Sequence, residues 1–130
     1  MNHQTELTVY TYTRAQAIAD GVLLDVTPVA QEAGFTCPVA LTAGLWAKYG
    51  TQTPGEDHGT VWDILWMLRC AATGIRPVKV EDYTEGQIVW FKLSLTPKGK
   101  QKPELVTLKA IAEFGDDGKE IITILLPDED

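Results

Sequence analysis

The chain is poor in the residues that staple, ligate or catalyse. It has two cysteines, Cys37 and Cys70, and two histidines, His3 and His58. Two thiols far apart in sequence, each in apolar helical surroundings, fit neither a disulfide framework nor a metal site, so reduced and buried cysteine is expected. There is no nucleotide-binding Gly-rich loop, no nucleophile-elbow pattern and no paired-cysteine motif. Long apolar runs are missing too: the longest, within Val61 to Ala72, is broken by Asp63 and Arg69 and is too short to span a bilayer. The polar opening Met-Asn-His-Gln-Thr-Glu lacks the basic flank and apolar stretch of a signal peptide. A cytoplasmic setting without membrane contact is therefore expected, with no cofactor implied.

Cations are also in short supply, 11 Lys and Arg against 18 Asp and Glu, for a net charge of -7. Phosphate contacts supply most non-specific affinity for nucleic acid, so this balance disfavours direct nucleic-acid binding and suits a basic protein surface as partner. The acids are unevenly placed. Glu113, Asp116, Asp117, Glu120, Asp128, Glu129 and Asp130 crowd the C-terminal end, against Lys119 alone. Lys98, Lys100 and Lys102 form the opposite feature, a basic finger flanked by Pro97 and Pro103. Hydrophobic residues at 45% and charged residues at 22% are ordinary for a folded soluble protein. At 130 residues the chain has room for one domain, which buries roughly two-thirds of the surface its unfolded form exposes.

Periodicity divides the chain into a helical half and a strand half. Leu7 to Tyr12 alternates and predicts a first strand; Thr13-Arg-Ala-Gln16 has the capping-box form that opens a short helix, which Gly21 stops. Val22 to Val26 is either a short strand or an extended link. Thr27 as N-cap with Pro28 at the first helical position predicts a second short helix ending at Gly34, and Pro38 opens a third toward Tyr49. Residues 51–59 are a polar loop. A fourth helix, from the capping pattern at Thr60 to about Thr73, is apolar over most of its circumference: Val61, Leu65, Leu68 and Ala72 on one face, Trp62, Trp66 and Cys70 on the next. It is expected to be the central buried helix, with Trp62 and Trp66 packed in the core against strand residues such as Phe91 and Leu108.

After Pro77 the period changes to two. Gln87 to Leu95, Glu104 to Ala112 and Glu120 to Leu126 predict a three-stranded antiparallel meander, with Val89, Phe91, Leu93 and Leu95, and Val106, Leu108, Ala110 and Ala112, on the buried face. The expected fold is α+β, an N-terminal strand and helices packed on that meander.

The stretch from Tyr10 to Thr27, YTYTRAQAIADGVLLDVT, resembles the opening of a family of small proteins of unknown activity carried on plasmids, phages and other mobile elements. Val39 to Thr42 with Leu45 and Trp46, Trp62 to Met67, Leu105 to Lys109, and Asp116 to Gly118 leading into Ile121 to Pro127 are similar to the family's later blocks. The resemblance covers nearly the whole chain. It implies one shared architecture and a mobile-element setting, and it carries over no catalytic residue or ligand.

Several groups of residues are candidates for chemistry, each with a structural alternative. Arg14, at a helix start just after a strand and near Tyr10, Tyr12, Asp20 and Asp25, could hold a phosphate or carboxylate; the structural alternative is an ion pair with Asp20 or Asp25. Glu56, Asp57, His58 and Asp63 match no specific ligand spacing and read as a solvated loop with helix-capping acids. Asp116 and Asp117 between two glycines read as a hairpin turn. The four tryptophans, Trp46, Trp62, Trp66 and Trp90, read as core, with an aromatic pocket beside Arg69 as the alternative. The Lys98, Lys100, Lys102 loop could touch phosphate, but a solvated hairpin tip is the simpler reading.

The function these features suggest is a small acidic interaction protein of a mobile element. Arg14 with the acids Glu113, Asp116, Asp117 and Glu120 would form the binding surface, and its concrete form would be an inhibitor of a host nucleic-acid-binding defence complex, of anti-CRISPR or antirestriction type. A small toxin-type ribonuclease using Lys92, Arg69, His58 or Lys109 is the enzymatic alternative, and a plasmid accessory factor the third.

Overall fold

A computed structural model of the protein describes residues 13–50, 58–74, 79–83, 86–115 and 117–129; for His58 and Tyr83 it describes the backbone alone. The strand expected at Leu7 to Tyr12 lies outside the described residues. So do Glu56, Asp57, Pro77, Asp116 and Asp130.

Among the described residues, four helices and six strands follow in the order α1 (Arg14–Ala19), β1 (Leu23–Asp25), α2 (Thr27–Glu32), β2 (Val39–Thr42), α3 (Ala43–Tyr49), α4 (His58–Ala72), β3 (Lys79–Tyr83), β4 (Gly86–Leu95), β5 (Glu104–Phe114) and β6 (Glu120–Leu125). The strands form one mixed sheet, ordered β1-β2-β6-β5-β4-β3. Every pairing is antiparallel except β2 with β6, which run parallel. The α+β class holds, and β4, β5 and β6 are the expected meander.

Local chemistry explains the helix starts. Thr13 and Gln16 form the expected capping box: the Gln16 amide donates to the Thr13 hydroxyl at 3.1 Å, and the Thr13 amide donates to Gln16 Oε1 at 2.9 Å. At α2 the expected cap is displaced by one residue. Val26 takes the N-cap position without a side-chain bond, and Thr27 is already helical. The Thr27 hydroxyl donates to Asp25 Oδ1 and accepts from the Val39 amide, so it ties β1 to the start of β2.

Pro38 does not open a helix. Val39 to Leu41 pairs with Ile122 to Ile124 of β6, and the Ile122 amide donates to the Pro38 carbonyl at 3.0 Å. The helix waits until Thr42, whose hydroxyl accepts the Leu45 amide at 3.2 Å. A proline is as compatible with the residue before a strand as with a first helical turn, and a parallel partner eighty residues away decided between them. Gly50 ends α3 as expected; the Trp46 ring lies over it, leaving no room for a Cβ.

The core lies between one sheet face and helices α2, α3 and α4. Val89, Phe91, Leu93 and Leu95 of β4 meet Val106, Leu108 and Ala110 of β5 in register, with Val39, Leu41 and Ile124 continuing the face. Against them α4 buries Val61, Ile64, Leu65, Leu68 and Ala71, a stripe at helical spacing. Each fully buried Leu or Ile contributes roughly 1.5–3 kcal/mol.

The expectation for the tryptophans fails at α4. Trp62 is 36% exposed and Trp66 43%, on the stripe facing away from the sheet, and Ala72 is exposed as well. Trp46 is buried and Trp90 half-buried. Cys37 and Cys70 are free and half-buried, not buried. Strand β3 and the start of α4 two residues before Thr60 were not anticipated.

Candidate functional site

Arg14 ties the N-terminal helix to the sheet. Its guanidinium donates to Thr123 Oγ1 at 2.7 Å and to the Ile122 carbonyl at 2.6 Å, pinning α1 to β6. Asp25, one of the two acids expected to hold it, instead accepts from the Thr27 amide at 3.0 Å. Cys37 lies within reach of the same charges. Burial, and next the Glu120 carboxylate, push its thiol above the ordinary range; a backbone hydrogen bond and Arg14 pull the other way. At neutral pH it is a thiol, not a thiolate.

The expected acidic surface is divided by the pleat of the sheet. Glu113 pairs with Ile121 and the neighbouring Phe114 with Glu120, so Glu113 and Glu120 point to opposite faces at one end of the sheet. Glu113 is half-buried and shares with Glu129 a groove of about 640 Å³ whose apolar floor includes Val22, Leu23, Ile111 and Leu125. Glu129 is spent on structure: its Oε1 accepts from the Thr42 hydroxyl at 2.7 Å and the Leu126 amide at 2.8 Å. Asp117 and Glu120 are exposed. Asp117 accepts the Lys119 amide at 3.0 Å within its own turn, the hairpin the sequence predicts, and Asp25 stands at the same end of the sheet through its register with Ala40.

Of the ribonuclease candidates with described side chains, Arg69 and Lys109 are not brought together. Lys92 and Lys109 sit on the sheet face turned away from the core, opposite Thr107 and Trp90 respectively. Arg69 belongs to α4, on the other side. There its Nη1 donates to the Ala33 carbonyl at 3.0 Å, closing the C-terminal end of α2, and its guanidinium lies 5.5 Å from the Trp66 ring centre. Trp66 in turn stacks on Trp62, with ring centres 5.9 Å apart and planes 13° from parallel. Trp62, Trp66 and Arg69 thus form an exposed ladder along one stripe of α4. His58 begins that helix.

The lysine finger is the solvated hairpin tip between β4 and β5, with Lys98, Lys100 and Lys102 exposed, but its base is anchored. The Lys98 amide donates to the Lys48 carbonyl at 2.8 Å, at the end of α3, and Pro97 is buried. The loop closes one wall of a hollow of about 520 Å³ whose other walls include Tyr49, Thr60 and Asp63. Nothing local in the sequence signals this docking.

Among the described residues no group of His, Cys, Asp and Glu is placed to hold a metal ion, and no helix is long and apolar enough to cross a membrane. No family model matches this chain, and no curated protein and no solved structure is similar enough to it to count as a match.

Proposed function

We propose that the chain is a small interaction protein of a mobile genetic element, which presents carboxylates to a basic site on a host protein. The form that fits best is an inhibitor of a nucleic-acid-binding defence complex, of anti-CRISPR or antirestriction type. One observation carries the reading, the separation of charge along β5. At its N-terminal end stand Lys98, Lys100 and Lys102; at its C-terminal end stand the exposed Asp117 and Glu120, with Asp25 beside them through the β1–β2 register. An end where these three acids outnumber the one exposed lysine of the turn, Lys119, on a chain of net charge -7, steers association with a partner of opposite sign. The mobile-element setting and the host target rest on the sequence resemblance. The ribonuclease reading has less support, because Arg69 and Lys109 lie on opposite sides of the sheet.

The test is affinity capture from a host lysate with wild type and with the Asp117→Lys, Glu120→Lys double variant, followed by titration of the captured protein. The captured set should be basic nucleic-acid-binding proteins, lost by the double variant and weakened by salt, since exposed charges are screened over about 10 Å at 0.1 M. Equal capture by both proteins overturns the reading. RNA cleavage by the wild type, lost in Lys92→Ala, would establish the ribonuclease instead.

A further inference from the structure

Pairing between β3 and β4 ends at the Lys79–Trp90 register. From Phe91 to Leu95, β4 is therefore paired on one side only among the described residues, to β5. Along the seam between this edge and α4 lie two adjoining hollows of about 520 Å³ and 400 Å³, which have Asp63 and Ser94 in common. Their chemistry differs. The first carries Lys98 and Lys100 with the hydroxyls of Thr60 and Thr96; the second is walled by Met67, Leu93, Leu105 and Trp66, with Lys92 beside them.

We propose that this seam binds a nucleoside phosphate. The phosphate would lie at Lys98 and Lys100, the sugar hydroxyls at Asp63 and Ser94, and the base against Met67, Leu93 and Leu105. Four features point to this class of ligand. The cationic end is held in place, because the Lys98 and Lys100 amides donate to the Lys48 and Pro97 carbonyls, so little loop ordering is lost on binding. Asp63 would repel a bare anion, but a carboxylate is a strong acceptor for a sugar diol, which makes an isolated phosphate a poorer fit than a nucleotide.

Thr60 and Met67 are seven residues apart on one helix, about 10 Å at 1.5 Å per residue, a span that a mononucleotide bridges from phosphate to base. Leu105 is 69% exposed, an apolar wall with no described cover. Trp66 is already engaged in its stack with Trp62 and its contact with Arg69. Base recognition would fall to apolar contact with Met67, Leu93 and Leu105. None of these residues belongs to the acidic end, so this site and the proposed partner surface stand or fall separately.

Calorimetric titration of the full chain with the four ribonucleoside 5′-monophosphates, their nucleosides and inorganic phosphate tests the assignment. At least one nucleotide should bind saturably, with its nucleoside and inorganic phosphate at least about tenfold weaker, one tenfold step being 1.4 kcal/mol. The Lys98→Gln, Lys100→Gln double variant should reduce nucleotide affinity to that of the nucleoside. Leu105→Asp should weaken nucleotide and nucleoside alike and leave phosphate unchanged. All three positions are exposed, so thermal midpoints should stay at the wild-type value; if a variant unfolds, the wild-type ranking of nucleotide over nucleoside and phosphate still decides. Absence of saturable nucleotide binding, or phosphate binding as tightly as nucleotide, overturns the proposal. Tighter binding of an oligonucleotide than of any mononucleotide overturns it in favour of a nucleic-acid groove.

Discussion

Helix α4 carries two apolar stripes, and the fold buries only one of them. Val61, Ile64, Leu65, Leu68 and Ala71 are each 3% exposed or less, whereas Trp62 and Trp66 are more than a third exposed on the neighbouring stripe. By area alone the tryptophans should win. Each would remove about 150–250 Å² from water, worth roughly 4–6 kcal/mol at 25 cal/mol per Å². Their stripe, however, includes Arg69, and Asp63 lies one turn before Trp66. An unpaired charge taken into the core costs several kcal/mol even after relaxation. The aliphatic stripe contains no charge and pays no such penalty. What decides orientation is the charged residue that shares a stripe, more than the size of the apolar residues on it. The outward stripe recovers part of its exposure locally, through the Trp62–Trp66 stack and the Arg69 contact.

The sharpest way to break this comparison is to truncate the two stripes separately. Leu65 is wholly buried in the core cluster that also holds Phe91 and Leu108. Leu65→Ala should cost about 3–5 kcal/mol through lost transfer energy and the cavity left behind. That is a large fraction of the 5–15 kcal/mol total typical of a domain. Urea denaturation should show a lower midpoint with an unchanged slope. A loss below about 1 kcal/mol would mean that the aliphatic stripe is not the packed one.

A smaller effect tests how the outward stripe is anchored. Gly34 ends α2 at φ 100°, and a Cβ there would stand 2.7 Å from Arg69 Nη1. Gly34→Ala should cost about 2–3 kcal/mol: roughly 1–2 for a left-handed alanine, the rest for displacing the guanidinium from Ala33. Arg69→Ala alone should cost about 1–2 kcal/mol, the low end of the value of a hydrogen bond from a charged donor because Arg69 is exposed. In the double variant the steric part disappears while the backbone part remains, so the loss should fall short of the sum by at least about 0.5 kcal/mol. Strict additivity would place Arg69 elsewhere.

How much could be read in advance follows from the reach of each interaction. The Thr13–Gln16 capping box and the alternation of β4, β5 and β6 are local or continuous, and both were legible. Strand β2 was not: Val39 to Leu41 is three residues of ambiguous propensity behind a proline, fixed by a parallel partner at Ile122 to Ile124. β3 hides because Lys79, Glu81 and Asp82 break the apolar alternation. The role of Arg14 as a lock was legible from its place at a helix start, but its bonds to Ile122 and Thr123 span 108 and 109 residues. The solvated tip at the lysine finger was legible, but its anchor was not, for the same reason: Lys48 belongs to another element. At α4 the information was present in the sequence: Arg69 falls seven residues after Trp62, on the tryptophan stripe, and no charge falls on the other.

The smallest effect is the one most specific to the comparison. Trp66→Ala removes a ring that is 43% exposed, so the cavity term that dominates core truncations is largely missing. What is lost is a stacked aromatic contact with Trp62, about 0.5–1.5 kcal/mol, and an exposed cation–π contact with Arg69, about 0.5–1 kcal/mol. The Arg69 bond to the Ala33 carbonyl does not depend on the ring and should persist. The net cost should therefore be about 1–2 kcal/mol, well under that of Leu65→Ala, although tryptophan is much the larger side chain. Trp66→Phe, which keeps a stacking partner for Trp62, should recover about half of it. Equilibrium unfolding of the two variants beside Leu65→Ala settles the order. A Trp66→Ala loss equal to or above that of Leu65→Ala would return the tryptophan stripe to the core.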